Sequence, residues 1–265
     1  MVQIKHLSIT LKKDLRPLVQ DLSLALNPGD KIAVIGEEGN GKSTLLKVLA
    51  DPEAARDYVE WTGTLHTDGA VLGYLEQEVS PEDKARSVYD FCCREPAFLA
   101  ASPRELAQAA GELGFPQDLY YDSRALGTLS GGEKVKLRMA LLTLRRPEAY
   151  LLDEPSNDLD IPTLEWMEDF IRRCEQPVVF ISHDEVLLER TANAVLHLEQ
   201  LRRKTLPRWT LAKTGYRDYV DRRLRAMAHQ EQVARKEREE DLKQQERLRQ
   251  IQQKVEHQLN PLSPR

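Results

Sequence analysis

The chain has 265 residues with 38 Lys+Arg against 43 Asp+Glu, a net charge of −5, and 41% hydrophobic residues, the balance of a globular chain with material for a sizeable core. No apolar run approaches the roughly 18 residues of a membrane span, and the N-terminus lacks the basic-then-apolar layout of a secretory signal. Cys92, Cys93 and Cys174 are too few and too oddly placed for a disulfide framework or a zinc site, so three reduced cysteines and a cytoplasmic location are expected. Charge is unevenly spread, because residues 201 to 265 hold 17 Lys/Arg and 9 Asp/Glu. That leaves an acidic body and a basic tail, which suits either an anionic partner or a solvated charged helix.

Residues 3–9 and 22–26 alternate as strands, joined by a charged turn from Lys12 to Arg16. After the turn residues Asn27 to Asp30 comes a short apolar strand, KIAVIG, and at once Gly36-Glu37-Glu38-Gly39-Asn40-Gly41-Lys42-Ser43. This fits G-x-x-x-x-G-K-[ST] between a strand and the helical run STLLKVLA, the context a phosphate loop needs. Successive backbone N–H groups can curl around phosphate oxygens at a helix N-terminus. Lys42 then reaches the β- and γ-phosphates, the Ser43 hydroxyl suits Mg²⁺ and Thr44 suits the α-phosphate; Glu37 and Glu38 contribute backbone only.

Trp61 to Glu78 reads as two strands with a turn at Asp68-Gly69, and Gln77 leaves the second. A lone Gln is ordinarily solvated, so it gains interest only as an edge residue of a nucleotide core. Residues 81–127 are helical by pattern and form an insertion between core strands.

The segment Leu129 to Asp160 then carries three features in a row. LSGGEK opens a helix reaching about Arg146, with Ser130 as N-cap and Gly131 and Gly132 exposing N–H groups. EAYLLDEP is a buried strand ending in two carboxylates, a costly arrangement unless they face a cation or water. Asp153 fits a Mg²⁺ partner and Glu154 a base beside an attacking water, against the plainer possibility of an acid pair at a strand-to-helix turn. SNDLD leads into the amphipathic helix IPTLEWMEDFIRRC. PVVFISH is another buried strand, ending on His183, where strands of an open parallel sheet deliver polar residues to a ligand. AVLHLEQ is read as closing the sheet. Beyond it, LRRKTLPRWTLAKTG is basic, with Trp209 in a turn or short hairpin. Tyr216 to about Leu259 reads as one helix, apolar at Tyr216, Val220, Leu224 and Met227 and again at Leu248, Ile251 and Val255, with no proline before Pro261.

With the phosphate loop, Gln77, LSGGEK, YLLDEP and ISHD in this order, residues 1 to about 200 resemble an ABC-type ATPase domain. The fold implied is α/β: a mixed sheet core with an antiparallel β part and a helical subdomain at about 81–146, followed by a basic linker over 201–265. The cofactors implied are ATP and Mg²⁺. Transferred by motif, Gln77 senses Mg²⁺ and the attacking water, Ser43 and Asp153 hold Mg²⁺, Glu154 polarises the water and His183 contacts the γ-phosphate. Ser130, Gly131 and Gly132, with Glu133 of the same motif, bind the γ-phosphate of a nucleotide held by a different ABC unit. The departure is at the base: LSITLKKDLR has no aromatic side chain where the family stacks adenine, which puts base selectivity in doubt.

The finer resemblance is to the ABC-F subfamily, soluble proteins with two ABC units joined by a helical linker. It is carried by SNDLD, by GYRDYV leading into the charged helix, and by the lack of a membrane domain. It implies a ribosome-associated translation factor, with antibiotic ribosome protection as one branch. The partners implied are the ribosome with its rRNA and tRNA, and a second ABC domain on the same chain or a homodimer mate, without membrane insertion. On that reading the chain is expected to be the first part of a longer one. The alternative is the ATPase subunit of a membrane transporter.

Overall fold

The computed structural model describes residues 2–67, 69–201 and 206–259. Its first compact unit is Met1–Tyr216 and its second Arg217–Arg265. The first unit opens with β1 (Val2–Leu11) and β2 (Pro17–Leu26), then β3 (Lys31–Ile35), α1 (Lys42–Ala50), α2 (Pro52–Ala55), β4 (Val59–His66) and β5 (Leu72–Leu75). The helical insertion follows as α3 (Pro81–Ala85), α4 (Val88–Cys93), α5 (Pro96–Ala100) and α6 (Pro103–Leu113), with two short 3₁₀ turns. The core resumes with α7 (Gly131–Leu144), β6 (Ala149–Asp153), α8 (Ile161–Arg173), β7 (Val178–Ile181), α9 (Glu185–Thr191), β8 (Ala194–Leu201) and β9 (Leu206–Ala212).

Two sheets result. One is antiparallel, in the order β2-β1-β4; the other has the order β5-β6-β7-β3-β8-β9 and is parallel except at β8-β9. The middle strands of the second sheet are buried on both faces, which is why they read as unbroken apolar runs. Along β6, Tyr150 and Leu152 face one hydrophobic cluster with Leu137, Met167 and Phe180. Ala149 and Leu151 face the other, with Val34, Leu45, Leu46, Leu7 and Leu22. The first cluster joins the sheet to α7, α8 and the insertion, and the second joins it to α1 and the antiparallel sheet.

The strands on either side of Gly69 enter different sheets: β4 pairs with β1, and β5 pairs in parallel with β6; Asp68 of the expected turn lies outside the described residues. One expectation is revised, since the sheet does not close on β8. Leu198 and Trp209 are paired in the β8-β9 ladder, and Trp209 Nε1 donates to the Gln20 carbonyl (3.1 Å). The connection, residues 202–205, lies outside the described set. The core therefore runs past the boundary placed at residue 200, because the basic segment contributes the edge strand, where exposed charges are tolerated.

The second unit is helical. Most of α10 (Tyr216–Leu259) falls in it, a 44-residue helix of about 66 Å at ~1.5 Å per residue. Its side chains at Leu224, Met227, Leu248 and Ile251 are exposed. The side chain of Val255 and residues 260–265, with Pro261, lie outside the described set.

Candidate nucleotide site

The parallel strands end at one edge, and each releases a polar segment there: the phosphate loop after β3, Gln77 after β5, Glu154 after β6 and His183 after β7. Open α/β sheets bind their ligands at this edge. A cavity of about 330 Å³ lies on it, lined by Leu11, Arg16, Leu18, Glu38, Gly39, Gly41, Lys42, Ser43, Thr44, Gln77, Glu154 and His183.

The loop is built to admit backbone rather than side chains. Gly36 has φ +147°, and a Cβ there would overlap the Leu198 carbonyl oxygen, so no other residue fits against β8. Lys42 Nζ donates to the carbonyls of Gly36 (2.8 Å) and Glu37 (3.2 Å), which keeps the ammonium inside the curve of the loop. Burial lowers the Lys42 pKa, and Glu154, Glu38 and Asp153 oppose that shift. The Asn40 side chain is a buried brace within the loop, its Nδ2 donating to Leu198 O (3.0 Å). The side chains of Glu37 and Glu38 are exposed.

Asp153 sits at the end of β6, buried. Ser43 Oγ donates to its Oδ1 (2.9 Å) and the Tyr74 phenol to its Oδ2 (3.2 Å). Burial raises the Asp153 pKa, and these two hydrogen bonds offset part of the rise. A nearby cation would complete that compensation, and one hydroxyl with one carboxylate is a donor set suited to Mg²⁺, which takes its remaining oxygens from water and phosphate. When bound, Mg²⁺ supplies charge neutralisation at the phosphates. Tyr74 was not legible as a site residue. Burial, with the Asp153 carboxylate beside it, pushes its phenol far upward, so it stays protonated and donates. Tyr74→Phe removes this bond at little cost in shape. It is expected to raise the Mg²⁺ concentration for half-maximal nucleotide binding about tenfold, and an unchanged titration would show that Ser43 alone orients Asp153.

Glu154 follows in the left-handed backbone region, φ +51°, uncommon for a residue with a side chain and a recurrent feature of functional sites. Its Oε1 lies 3.1 Å from His183 Nε2. The segments carrying the two are fastened together, since the Ser156 and Ser182 hydroxyls share a hydrogen bond (2.8 Å). Gln77 is exposed and lines the same cavity. Arg138 of α7 donates to the carbonyl of Glu76, one residue earlier (2.7 Å), which ties the segment carrying Gln77 to the helix opened by Ser130.

The family model described as ABC transporter matches residues 19–157, more than half of the chain. The chain belongs to the ATP-binding cassette family. It is 33% identical to the tylosin resistance ATP-binding protein TlrC of Streptomyces fradiae over 236 residues, 74% of this chain and 42% of that protein. It is 29% identical to the energy-dependent translational throttle protein EttA of Escherichia coli K12 over 262 residues (86% and 46%). With elongation factor 3 of Pneumocystis carinii it shares 30% over 188 residues (71% and 17%). The chain thus spans less than half the length of these relatives, which are ABC-F proteins, the group its sequence resembles. Among solved structures, an inward-facing metal-chelate type ABC transporter superposes with TM-score 0.61 at 24% identity, covering 80% of this chain and 82% of that one. A dimeric bacterial ABC transporter cassette gives 0.58 at 15%, covering 75% and 94%. Both show the ABC fold.

In this ABC domain the signature residues do not line the phosphate-loop cavity. Ser130, Gly131, Gly132 and Glu133 line a second one of about 300 Å³ with Lys136, Asp158, Asp160 and Thr163, and the two cavities have no residue in common. Glu133, grouped with the nucleotide contacts on resemblance, is engaged locally. Its carboxylate accepts from Ser130 N and Ser130 Oγ (both 2.8 Å), and Ser130 Oγ accepts from Glu133 N (3.2 Å), a capping box. The bonds from Ser130 hold the Glu133 carboxyl below its usual range.

Proposed function

We propose that this chain is an ATP-binding and ATP-hydrolysing cassette of a ribosome-associated ABC-F factor. In this reading Lys42, Ser43 and Thr44 bind the phosphates, and Ser43, Asp153 and Gln77 surround Mg²⁺. Glu154 accepts a proton from the attacking water, and His183 contacts the γ-phosphate while holding the Glu154 carboxylate in place. The observation that carries it is the meeting of Lys42, Ser43, Gln77, Glu154 and His183 on one cavity while Ser130 to Gly132 line another. The second cavity serves the nucleotide of another cassette, on a longer chain or on a second copy, so that ATP is enclosed between two units.

The ribosomal assignment is supported by what the relatives are called: an elongation factor, a translational throttle and an antibiotic resistance protein. The net basic segment after residue 201 suits an RNA surface, where phosphate neutralisation gives strong, salt-sensitive affinity. No helix among the described residues is long and apolar enough to cross a membrane. The test is sedimentation of the Glu154→Gln chain from a lysate with ATP. Co-migration with ribosomes that is lost at high salt supports the reading. Recovery with membranes and none with ribosomes assigns the cassette to a transporter instead.

A further inference from the structure

The cavity has a part that the phosphate chemistry leaves unused. Phosphates on Lys42 and Ser43, with the terminal one toward Glu154 and His183, leave the sugar and base to the lining from the β1-β2 hairpin: Leu11, Arg16 and Leu18. Among the described residues, no Phe, Tyr or Trp lines the cavity. What this end offers is two apolar side chains and one guanidinium.

Arg16 is held at both ends. The turn that carries it is closed by Leu11 N donating to Arg16 O (2.9 Å) and by Arg16 N donating to Asp14 Oδ1 (3.2 Å). Its Nη1 donates to the carbonyl of Gly39 (3.2 Å), in the phosphate loop itself, and its Nε lies 3.6 Å from Asp14 Oδ2. The side chain is 25% exposed, so an edge-anchored plane borders the cavity. A guanidinium keeps its charge, is weakly hydrated and stacks on π-faces in a way an ammonium does not.

We propose that Arg16 is the base-binding residue of this cassette, its guanidinium stacking on the nucleobase while Leu11 and Leu18 pack around base and sugar. The proposal rests on the nucleotide reading of the cavity. Every base has a π-face, and neither leucine side chain can hydrogen-bond to a base edge. Arg16 therefore holds adenine and guanine alike, and the cassette distinguishes ATP from GTP weakly.

Calorimetric titration of the full 265-residue chain with ATP, GTP and inorganic tripolyphosphate, each with Mg²⁺, tests this. Tripolyphosphate isolates the loop contribution. For the wild type, ATP and GTP are expected to bind within about fivefold of each other. In Arg16→Ala both weaken about tenfold while tripolyphosphate binds as before. Arg16→Lys keeps the charge without the plane and stays close to the alanine variant, whereas Arg16→Trp recovers ATP affinity. The proposal is overturned if Arg16→Ala binds ATP like the wild type, if Arg16→Lys is fully active in binding, or if ATP is strongly preferred over GTP. It is equally overturned if Arg16→Ala weakens tripolyphosphate as much as ATP, since Arg16 would then only brace Gly39. A wild-type chain that binds none of the three defeats the nucleotide reading itself.

Discussion

Glu154→Gln is expected to slow ATP hydrolysis by about a thousandfold, within the range by which a positioned base accelerates proton transfer, while ATP binding stays within about twofold of the wild type. The side chain is well placed for the role. It is mostly shielded, with 12% of its surface exposed, it borders the cavity that holds Lys42 and Ser43, and its carboxylate is fixed against His183 at 3.1 Å. An amide has the same shape and can keep a hydrogen bond to the imidazole, but it cannot take the proton. Binding is expected to survive because, in the proposed reading, the loop, Lys42 and a cation on Ser43 and Asp153 would hold the phosphates, and the substitution touches none of these. Phosphate release and ATP affinity, measured on the same preparation, separate the two steps. Equal losses in both would show that Glu154 holds the loop together and does not act on water.

Much of this site was legible because its parts are local. The phosphate loop declares itself through glycine spacing between an apolar strand and a helix, and the acid pair through its place at the end of an apolar run. The unbroken hydrophobicity of KIAVI, AYLLD and VVFI reflects strands buried on both faces, from which a parallel sheet and its binding edge follow. What escaped was relational. Periodicity marked β4 and β5 as strands, but it carries no record of the partner, and these neighbours in sequence entered different sheets. The edge strand β9 has the sequence of a turn or short hairpin, because a strand at the rim is free to be basic and weakly alternating. Tyr74 reaches Asp153 across 79 positions in the chain, and Ser156 reaches Ser182 across 26. Such pairs have no signature in one sequence. In the sequence Arg16 is only a turn residue; its tie to Gly39 needs the fold.

The division of the site into two cavities makes the signature glycines a test of the whole arrangement. Gly131→Ala is expected to reduce hydrolysis by about a hundredfold, the scale associated with a displacement of about 1 Å in catalytic parts, and to destabilise the domain by ~1–3 kcal/mol through overpacking. A Cβ at Gly131 would overlap the carbonyl oxygen of Asp158. That residue holds a left-handed conformation, φ +58°, on the segment that follows Glu154, so a shift of the segment is expected to move the Glu154 carboxylate. ATP affinity at the Lys42 cavity should hold, because neither Gly131 nor Asp158 lines it. Gly111 supplies the contrast: it lies inside α6 with nothing within 4 Å of an added Cβ. There Gly111→Ala should stabilise the chain by ~0.5–1 kcal/mol through helix propensity alone, with hydrolysis unchanged. Thermal melts and phosphate release on the two variants decide the matter. If Gly131→Ala melts and turns over like the wild type, the contact between signature and Asp158 is incidental. If it melts normally but loses hydrolysis, its glycine is needed for close approach to a nucleotide held by another cassette, and stability and catalysis at this position are separable.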